Sequence, residues 1–195
     1  MDFTALKKTL ENRRYTVSVF ANKEEAADHL EATIQNEIVG FGGSVTLKEM
    51  QLDKRLAGKN TVRWHWLDPQ DRNRFSDFTA YVTSVNAVSE SGELVNIDGS
   101  GNRVSASVFG PKKVFFVIGS NKLAPDLSAA INRARQIASP PNCKRLNLKT
   151  PCVATGRCHD CRSPDRICNV MAIHMGPMLG AEHTEVVLID EALGY

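Results

Sequence analysis

The sequence predicts an α/β protein with a mainly parallel sheet that carries helices on both faces. Short apolar segments of strand length alternate with segments of helical periodicity, and the most apolar of them, residues 114–118, has the length of a buried strand. No internal repeat or low-complexity linker interrupts the 195 residues. We therefore expect one domain over residues 1–195, with a cysteine-rich metal-binding insertion at about residues 143–168.

The first part of the chain predicts a helix, a strand, a second helix and a second strand. Residues 15–20 are rich in β-branched and aromatic side chains, which favours a strand after a short N-terminal helix. Asn22 lies three residues before Glu25, which indicates a capped helix start. Three apolar side chains then fall on one face of that helix: Ala26, Leu30 and Ile34.

A glycine-rich turn follows the next short strand at residues 38–39. It contains Gly40, Gly42, Gly43 and Ser44, and Ser44 is the expected N-cap of a helix over residues 45–50. This order presents backbone N–H groups to an anion, so phosphate or carboxylate could bind there. The same glycines would serve a tight turn without a ligand, and both interpretations stay open.

Residues 64–66, Trp-His-Trp, alternate as in a strand. Large aromatic side chains are more often core than ligand-binding, so we interpret both tryptophans as core residues. His65 lies between them and is expected to point towards solvent.

A second candidate binding loop follows a predicted hairpin. The chain is strand-like over residues 78–85, reaches Asn86, turns at Ser91-Gly92 and returns through residues 94–95. Polar side chains and glycines then precede a predicted helix over residues 104–109: Asn96, Asp98, Gly99, Gly101, Asn102 and Arg103. Such a loop either forms a turn stabilised by its own side chains or holds a polar substrate, and we favour the substrate.

The two loops are expected to form one pocket at the carboxyl ends of the strands. In that pocket Arg103 would clamp a carboxylate, and Asp98 or Glu90 would accept a proton. A structural role for both carboxylates is the alternative. The ligand class is a small carboxylate or a phosphate-bearing compound.

The last helix and strand frame the cysteine-rich segment. Pro125 opens a helix that is expected to end at residues 139–141, Ser-Pro-Pro, and residues 185–190 form a strand. One face of the helix is predicted to be apolar: Leu127, Ala130, Ile131, Ala134 and Ile137.

Four cysteines within seventeen residues predict a metal centre: Cys152, Cys158, Cys161 and Cys168. Four thiolates can ligate zinc or a [4Fe-4S] cluster. All-cysteine zinc sites commonly use two C-x2-C pairs, whereas this chain has only one, which favours the iron–sulfur cluster. Structural zinc, and thiols that bind no metal, are the alternatives.

Other possible ligands surround this set. The fifth cysteine, Cys143, is interpreted as a buried thiol outside the ligand set because it lies far from Cys152 in sequence. His159, His174 and His183 are candidate replacement ligands. Six basic residues against two acids over residues 144–166 would balance the negative charge of any four-thiolate site.

Composition and charge restrict the partners. The formal net charge is +2, and no lysine–arginine run is long enough to follow a nucleic-acid backbone, so we expect no nucleic-acid partner. The N-terminus does not have the pattern of a secretory signal, and no apolar run is long enough to span a membrane, which predicts a cytoplasmic protein. Clustered cysteines in a reducing compartment favour metal chemistry over disulfides.

Four segments resemble the LUD-domain family, whose members are known as lactate utilization proteins. They are residues 39–47, 83–92, 94–104 with the motif Asn-Ile-Asp-Gly-Ser-Gly-Asn-Arg, and 109–114. Residues 150–168 are similar to the cysteine-bearing branch of that family. The resemblance implies a fold similar to the ribose-phosphate isomerase and CoA-transferase superfamily, with phosphate or acyl groups at the glycine loop.

The resemblance also implies a part in the oxidation of lactate to pyruvate by several proteins. Our leading hypothesis is an iron–sulfur redox or accessory subunit that works with other iron–sulfur subunits. The chain could also form a homodimer. One alternative is an isomerase or acyl-transfer enzyme with Glu90 as nucleophile or base and a structural zinc site. Another is a non-catalytic assembly factor.

Overall fold

A six-stranded parallel sheet forms the centre of the computed structural model, which describes residues 2–195 except for the side chain of Phe75. The strand order is β1-β10-β7-β4-β2-β3, and each neighbouring pair is parallel. The strands are β1 (Thr16–Phe20), β2 (Ile38–Phe41), β3 (Thr61–Trp64), β4 (Ala80–Thr83), β7 (Lys113–Gly119) and β10 (His183–Ile189). The predicted mainly parallel sheet is therefore confirmed.

The helices lie between these strands in sequence. They are α1 (Thr4–Asn12), α2 (Lys23–Thr33), α3 (Val45–Glu49), α4 (Leu52–Leu56), α5 (Asn102–Val108), α6 (Leu127–Arg133), α7 (Ser139–Arg145) and α8 (Pro151–Thr155). Short 3-10 turns occupy Pro69–Asn73, Phe75–Asp77 and Ser120–Lys122. None of the helices in residues 2–195 is long and apolar enough to cross a membrane.

Both faces of the central sheet are buried. Neighbouring residues of β7 point to opposite faces, so Phe115 packs with α2, α3 and α4, whereas Phe116 packs with α1 and α5. Both side chains are fully buried. A strand covered on both faces reads as a continuous apolar run, which is why residues 114–118 could be recognised from sequence.

A second, smaller sheet was not predicted as a separate unit. Its order is β8-β5-β6-β9, with antiparallel β5–β6 and β6–β9 pairs. The strands are β5 (Ala87–Ser89), β6 (Leu94–Asp98), β8 (Leu123–Ala124) and β9 (Val170–His174). It packs against α6 and the turn after it. The cysteine-rich segment was expected between the last helix and the last strand. It instead leads from α7 to β9, which precedes the last strand, β10.

The predicted end of a helix at residues 139–141 is wrong. After α6 the chain forms a π turn at Ala134–Ala138 and continues directly as α7. Both prolines lie in the first turn of α7, directly after the π turn. Ile137 is 56% exposed, so the predicted apolar face does not include it. The extension brings α7 to the site described below.

Gly40 is required for packing within this fold. A Cβ atom at this position would overlap the ring of Phe78, which is 8% exposed and stacks on Tyr81. We predict that Gly40→Ala lowers the free energy of unfolding by about 1–3 kcal/mol, because the ring cannot move without disturbing the core. Urea unfolding followed by circular dichroism measures this change.

Gly58→Ala is the matched control. Gly58 has only one backbone atom near the position of an added Cβ, at 4.0 Å. This variant should keep the wild-type unfolding midpoint. Equal midpoints for the two variants would contradict the packing role of Gly40.

Candidate functional site

A cleft of about 530 Å³ opens at the carboxyl ends of the parallel strands. It is lined by the segments that follow five strands, from both sheets: Gly43 after β2, His65 after β3, Asn86 after β4, Gly99 after β6 and Lys122 after β7. Ligands of open α/β sheets commonly bind in this position, and the volume suits a small molecule. The cleft is therefore the candidate ligand site.

The glycine-rich turn and the polar loop reach the same cleft. Of the residues that the sequence singled out there, these line it: Gly43, Ser44, Asn86, Asp98, Gly99, Asn102 and Arg103. The other members of the two loops are not among the lining residues: Gly40, Gly42, Asn96 and Gly101. Gly42 instead packs closely, since an added Cβ would lie 2.5 Å from Thr83 Oγ1 and 2.7 Å from the Tyr81 hydroxyl.

Glu90 lies at the turn of the β5–β6 hairpin, where it is exposed and is not among the cleft residues. Its backbone N–H donates to the carbonyl of Ala124 at 2.9 Å. The structure thus separates Glu90 from Asp98, with which the sequence had grouped it.

Arg103 connects the loops around the cleft, and this differs from the predicted carboxylate clamp. Its two terminal nitrogens donate to the carbonyl oxygens of Ser84 (3.2 Å) and Ile97 (2.5 Å), to Asn86 Oδ1 (3.1 Å) and to Asn96 Oδ1. These donors are already engaged by protein oxygens, so they are not free for a bidentate grip on a ligand. Burial lowers the pKa of Arg103.

Asp98 also has a structural role. Its Oδ2 accepts the backbone N–H groups of Arg103 (2.9 Å) and Val104 (3.1 Å) at the start of α5. A carboxylate in this position stabilises the helix start. The polar loop is therefore held by its own side chains, and it still lines the cleft.

Positive charge at the cleft comes partly from residues that sequence reasoning missed. Lys48 and Arg72 line it, and the Arg145 guanidinium stands 4.8 Å from the centre of the Trp66 ring. Trp66 stacks in turn on buried Trp64, at 4.9 Å between ring centres. Both tryptophans were expected in the core. Trp64 lies there, whereas Trp66 lines the cleft.

His65 is also placed differently from the prediction. It lines the cleft and is only partly exposed, because β3 ends at Trp64 and the next residues form a turn. Burial lowers the pKa of His65, and the nearby Arg72 lowers it further. His65 is therefore more readily neutral than an exposed histidine.

Lys122 is the most buried cationic residue of the cleft, with 3% exposure. Its Nζ donates to Thr46 Oγ1 and to Ser84 Oγ, each at 2.7 Å. Burial, together with Arg133 and Arg103, lowers the pKa of Lys122 to about 7. The available sequence signal was its place just after the carboxyl end of a central strand.

The cysteine-rich segment encloses a second, small cavity beside α7 and α8. All five cysteines of the chain line it: Cys143, Cys152, Cys158, Cys161 and Cys168. Cys143 is 2% exposed and Cys152 is 9% exposed, while the other three are partly exposed. Cys143 is buried as expected, but it lies on the same cavity as the four predicted ligands. Burial raises the pKa of its thiol to about 12.

Arg166 holds the cysteine loop in place. It donates to the carbonyl oxygens of Cys161 (2.5 Å) and Cys168 (2.9 Å). It also pairs with Asp160 at 2.9 Å, which in turn pairs with Arg135 at 2.8 Å. These contacts place two guanidinium groups beside the thiols and lower the pKa of Asp160.

The thiols at the cavity are a donor type that iron–sulfur clusters and zinc both use. The backbone N–H of Asp160 points to Cys158 Sγ at 3.4 Å, which is the kind of contact that stabilises a thiolate ligand. No group of three or more His, Cys, Asp or Glu side chains in residues 2–195 is arranged to hold a metal ion. The five thiols thus share one cavity with two guanidinium groups beside it, but they are not arranged as a metal site.

Of the three candidate histidine ligands, His159 alone lines the cysteine cavity. His159 Nε2 lies 2.7 Å from Thr155 Oγ1. His174 is buried in β9, 3.2 Å from Ser107 Oγ, and His183 is 3.2 Å from Glu185 in β10. The latter two have structural partners away from the cysteines.

The cleft and the cysteine cavity are neighbours. Ser139 and Ile167 line both of them. Ser139 is the first residue of α7, and its hydroxyl donates to the carbonyl of Ala134 at 2.8 Å, while Ile167 directly precedes Cys168 in the chain. The two sites are therefore adjacent.

Comparison with known proteins identifies the family. The LUD domain matches residues 4–189. The chain is also similar to the crystal structure of a DUF162 family protein from Deinococcus radiodurans, with a TM-score of 0.56 and 10% sequence identity. That similarity covers 95% of this chain and 94% of the other, and at this identity it shows the fold alone. No curated protein matches the chain. Because the family match covers nearly all of its residues, this protein belongs to the LUD-domain family.

Proposed function

We propose that this protein is an iron–sulfur redox or accessory subunit in the oxidation of lactate or a related small hydroxy acid. The proposal rests on one observation: Ser139 and Ile167 line both the cleft and the cysteine cavity, so the two sites are neighbours. A cluster in that cavity would lie beside an anion bound in the cleft.

The cysteine cavity would hold a [4Fe-4S] cluster through Cys152, Cys158, Cys161 and Cys168. When bound, such a cluster accepts and releases single electrons. Arg135 and Arg166 would offset its negative charge, and Arg166 fixes the backbone at two of the cysteines. Unpaired thiols of this kind suit a reducing compartment, which supports a cytoplasmic location.

The cleft would hold the small acid. Lys48, Arg72 and Arg145 supply positive charge for a carboxylate or phosphate, and Trp66 offers an apolar ring face beside Arg145. Gly43 and Ser44 provide backbone close to the ligand. These residues bind and orient the acid, whereas Arg103 and Asp98 hold the walls in place.

The chain would work together with other iron–sulfur subunits. Oxidation of a hydroxy acid to an oxo acid releases two electrons, and this sequence contains no flavin or dinucleotide fingerprint that would accept them as a pair. Partner subunits would supply that chemistry and receive the electrons. The acyl-transfer alternative has no geometric support, because Glu90 lies outside the cleft.

Analysis of metal and sulfide in anaerobically purified protein tests the proposal. We expect about four iron and four sulfide per chain, with a brown colour and broad visible absorption, because a cubane uses four thiolates. Reduction with dithionite should bleach that absorption. Colourless protein with stoichiometric zinc and no sulfide would overturn the redox role.

A further inference from the structure

Lys122 is a buried amine without a carboxylate partner. None of the ion pairs among the described residues includes it, although a buried ammonium group is strongly disfavoured unless it is paired. Among residues 2–195, its side chain hydrogen-bonds to two groups, the hydroxyls of Thr46 and Ser84. These surroundings favour the uncharged form of the amine.

The other hydrogen bonds of the two hydroxyls fix the direction of their bonds to Lys122. Ser84 Oγ donates its hydrogen to the carbonyl of Val117 at 2.5 Å, and Thr46 Oγ1 donates its hydrogen to the carbonyl of Leu193 at 3.1 Å. Each hydroxyl must therefore accept from Lys122. A neutral amine that donates both of its hydrogens in this way keeps its lone pair free.

Neighbouring cations also favour the uncharged form of the Lys122 amine. Arg103 and Arg133 lie close enough to disfavour a third positive charge, and together with burial they bring the pKa of Lys122 to about 7. A desolvated lysine beside another cation is a known way to obtain a nucleophilic amine at neutral pH. Lys122 also lines the cleft, as do Thr46 and Ser84, whose hydroxyls hold its amine.

We propose that Lys122 forms an imine with the carbonyl carbon of a small 2-oxo acid bound in the cleft. The lone pair of Nζ attacks the carbonyl carbon, and a proton moves from nitrogen to the carbonyl oxygen to give a carbinolamine. Loss of water, which carries away that oxygen, then forms the C=N bond. No oxidant or reductant is needed for this step.

The ligand class follows from the charges of the cleft. Lys48, Arg72 and Arg145 attract the carboxylate, while the buried amine reacts with the adjacent carbonyl group. This inference rests on the cleft as the acid-binding site of the proposed function and assigns it a 2-oxo acid, the product class of hydroxy-acid oxidation. It does not depend on the metal content of the cysteine cavity.

Reductive trapping with pyruvate tests the inference. The full chain, purified anaerobically, is incubated with pyruvate and sodium cyanoborohydride, and its peptides are then mapped by mass spectrometry. We expect one adduct, at Lys122, with the mass of pyruvic acid less one oxygen atom. It should form at least about tenfold faster at pH 7.5 than adducts at exposed lysines, since these are protonated at that pH.

Three comparisons make the result specific. Lys122→Met should abolish the adduct, whereas Lys59→Met, which removes an exposed lysine outside the cleft, should leave it unchanged. Methyl pyruvate, which lacks the charge, should lose the preference for Lys122. The preference for Lys122 over exposed lysines should be largest near pH 7, where its amine is partly unprotonated while theirs are protonated.

Adducts spread over exposed lysines, or no adduct at Lys122 in the wild-type chain, would overturn the inference even if Lys122→Met failed to fold. Iron and sulfide content is measured in the same samples. A normal iron content with no adduct would remove the imine and leave the iron–sulfur proposal standing. An adduct at Lys122 in protein without iron would remove the iron–sulfur proposal and leave the imine standing.

Discussion

Serine in place of Cys158 or Cys168 is expected to remove most of the iron and sulfide from the protein. A serine hydroxyl is a much poorer ligand for iron than a thiolate, and loss of one of four ligands opens a cluster to solvent and oxidation. We expect iron to fall from about four per chain to below roughly one per chain. Iron and sulfide assays and visible absorption of anaerobic protein measure this change.

Cys143→Ser is the matched control, because Cys143 lines the same cavity but lies on α7, outside the segment with the C-x2-C pair. It should retain the cluster. The thermal unfolding midpoint of each variant without metal separates loss of a ligand from loss of the fold. If Cys143→Ser lost its iron while one of the other variants kept it, the four-cysteine ligand set would be wrong.

Local interactions explain the parts of the fold that could be predicted. Asn22 accepts the backbone N–H of Glu25 at 2.9 Å, and Ser44 accepts that of Leu47 at 3.3 Å, so both helix starts depend on residues three apart in sequence. The buried strand β7 was recognisable because its central residues 114–118 are all apolar. Each signal lies within one short segment.

The features that were missed depend on distant contacts. Lys122 is buried because Thr46 and Ser84, which are far from it in sequence, surround its amine. β9 forms because it pairs with β6, and Val170 stays 42% exposed, which weakens its strand pattern. The continuation of the helix past residues 139–141 has a local cause instead. The π turn at Ala134–Ala138 places both prolines in the first turn of α7, whereas the sequence pattern predicts that the helix ends there.

Distant contacts also give Arg103 partners that its sequence context does not indicate. An arginine in a polar loop beside glycines resembles a ligand clamp, and only the three-dimensional arrangement shows that protein oxygens occupy its donors. We predict that Arg103→Met lowers the free energy of unfolding by about 2–4 kcal/mol, because buried Asn96 and two backbone carbonyls lose a donor. Chemical denaturation at neutral pH measures the loss.

Arg145→Met is the control that separates structure from ligand binding. Arg145 lines the same cleft, but its guanidinium rests on the Trp66 ring and its hydrogen bonds go to Asn142, one turn earlier in α7. It should cost less than about 1 kcal/mol of stability. It should also weaken pyruvate binding roughly tenfold, as expected for loss of a charged hydrogen bond. If Arg103→Met unfolded like wild type but lost pyruvate binding, Arg103 would be a ligand clamp after all, and the cleft walls would be held by Asp98 and the backbone.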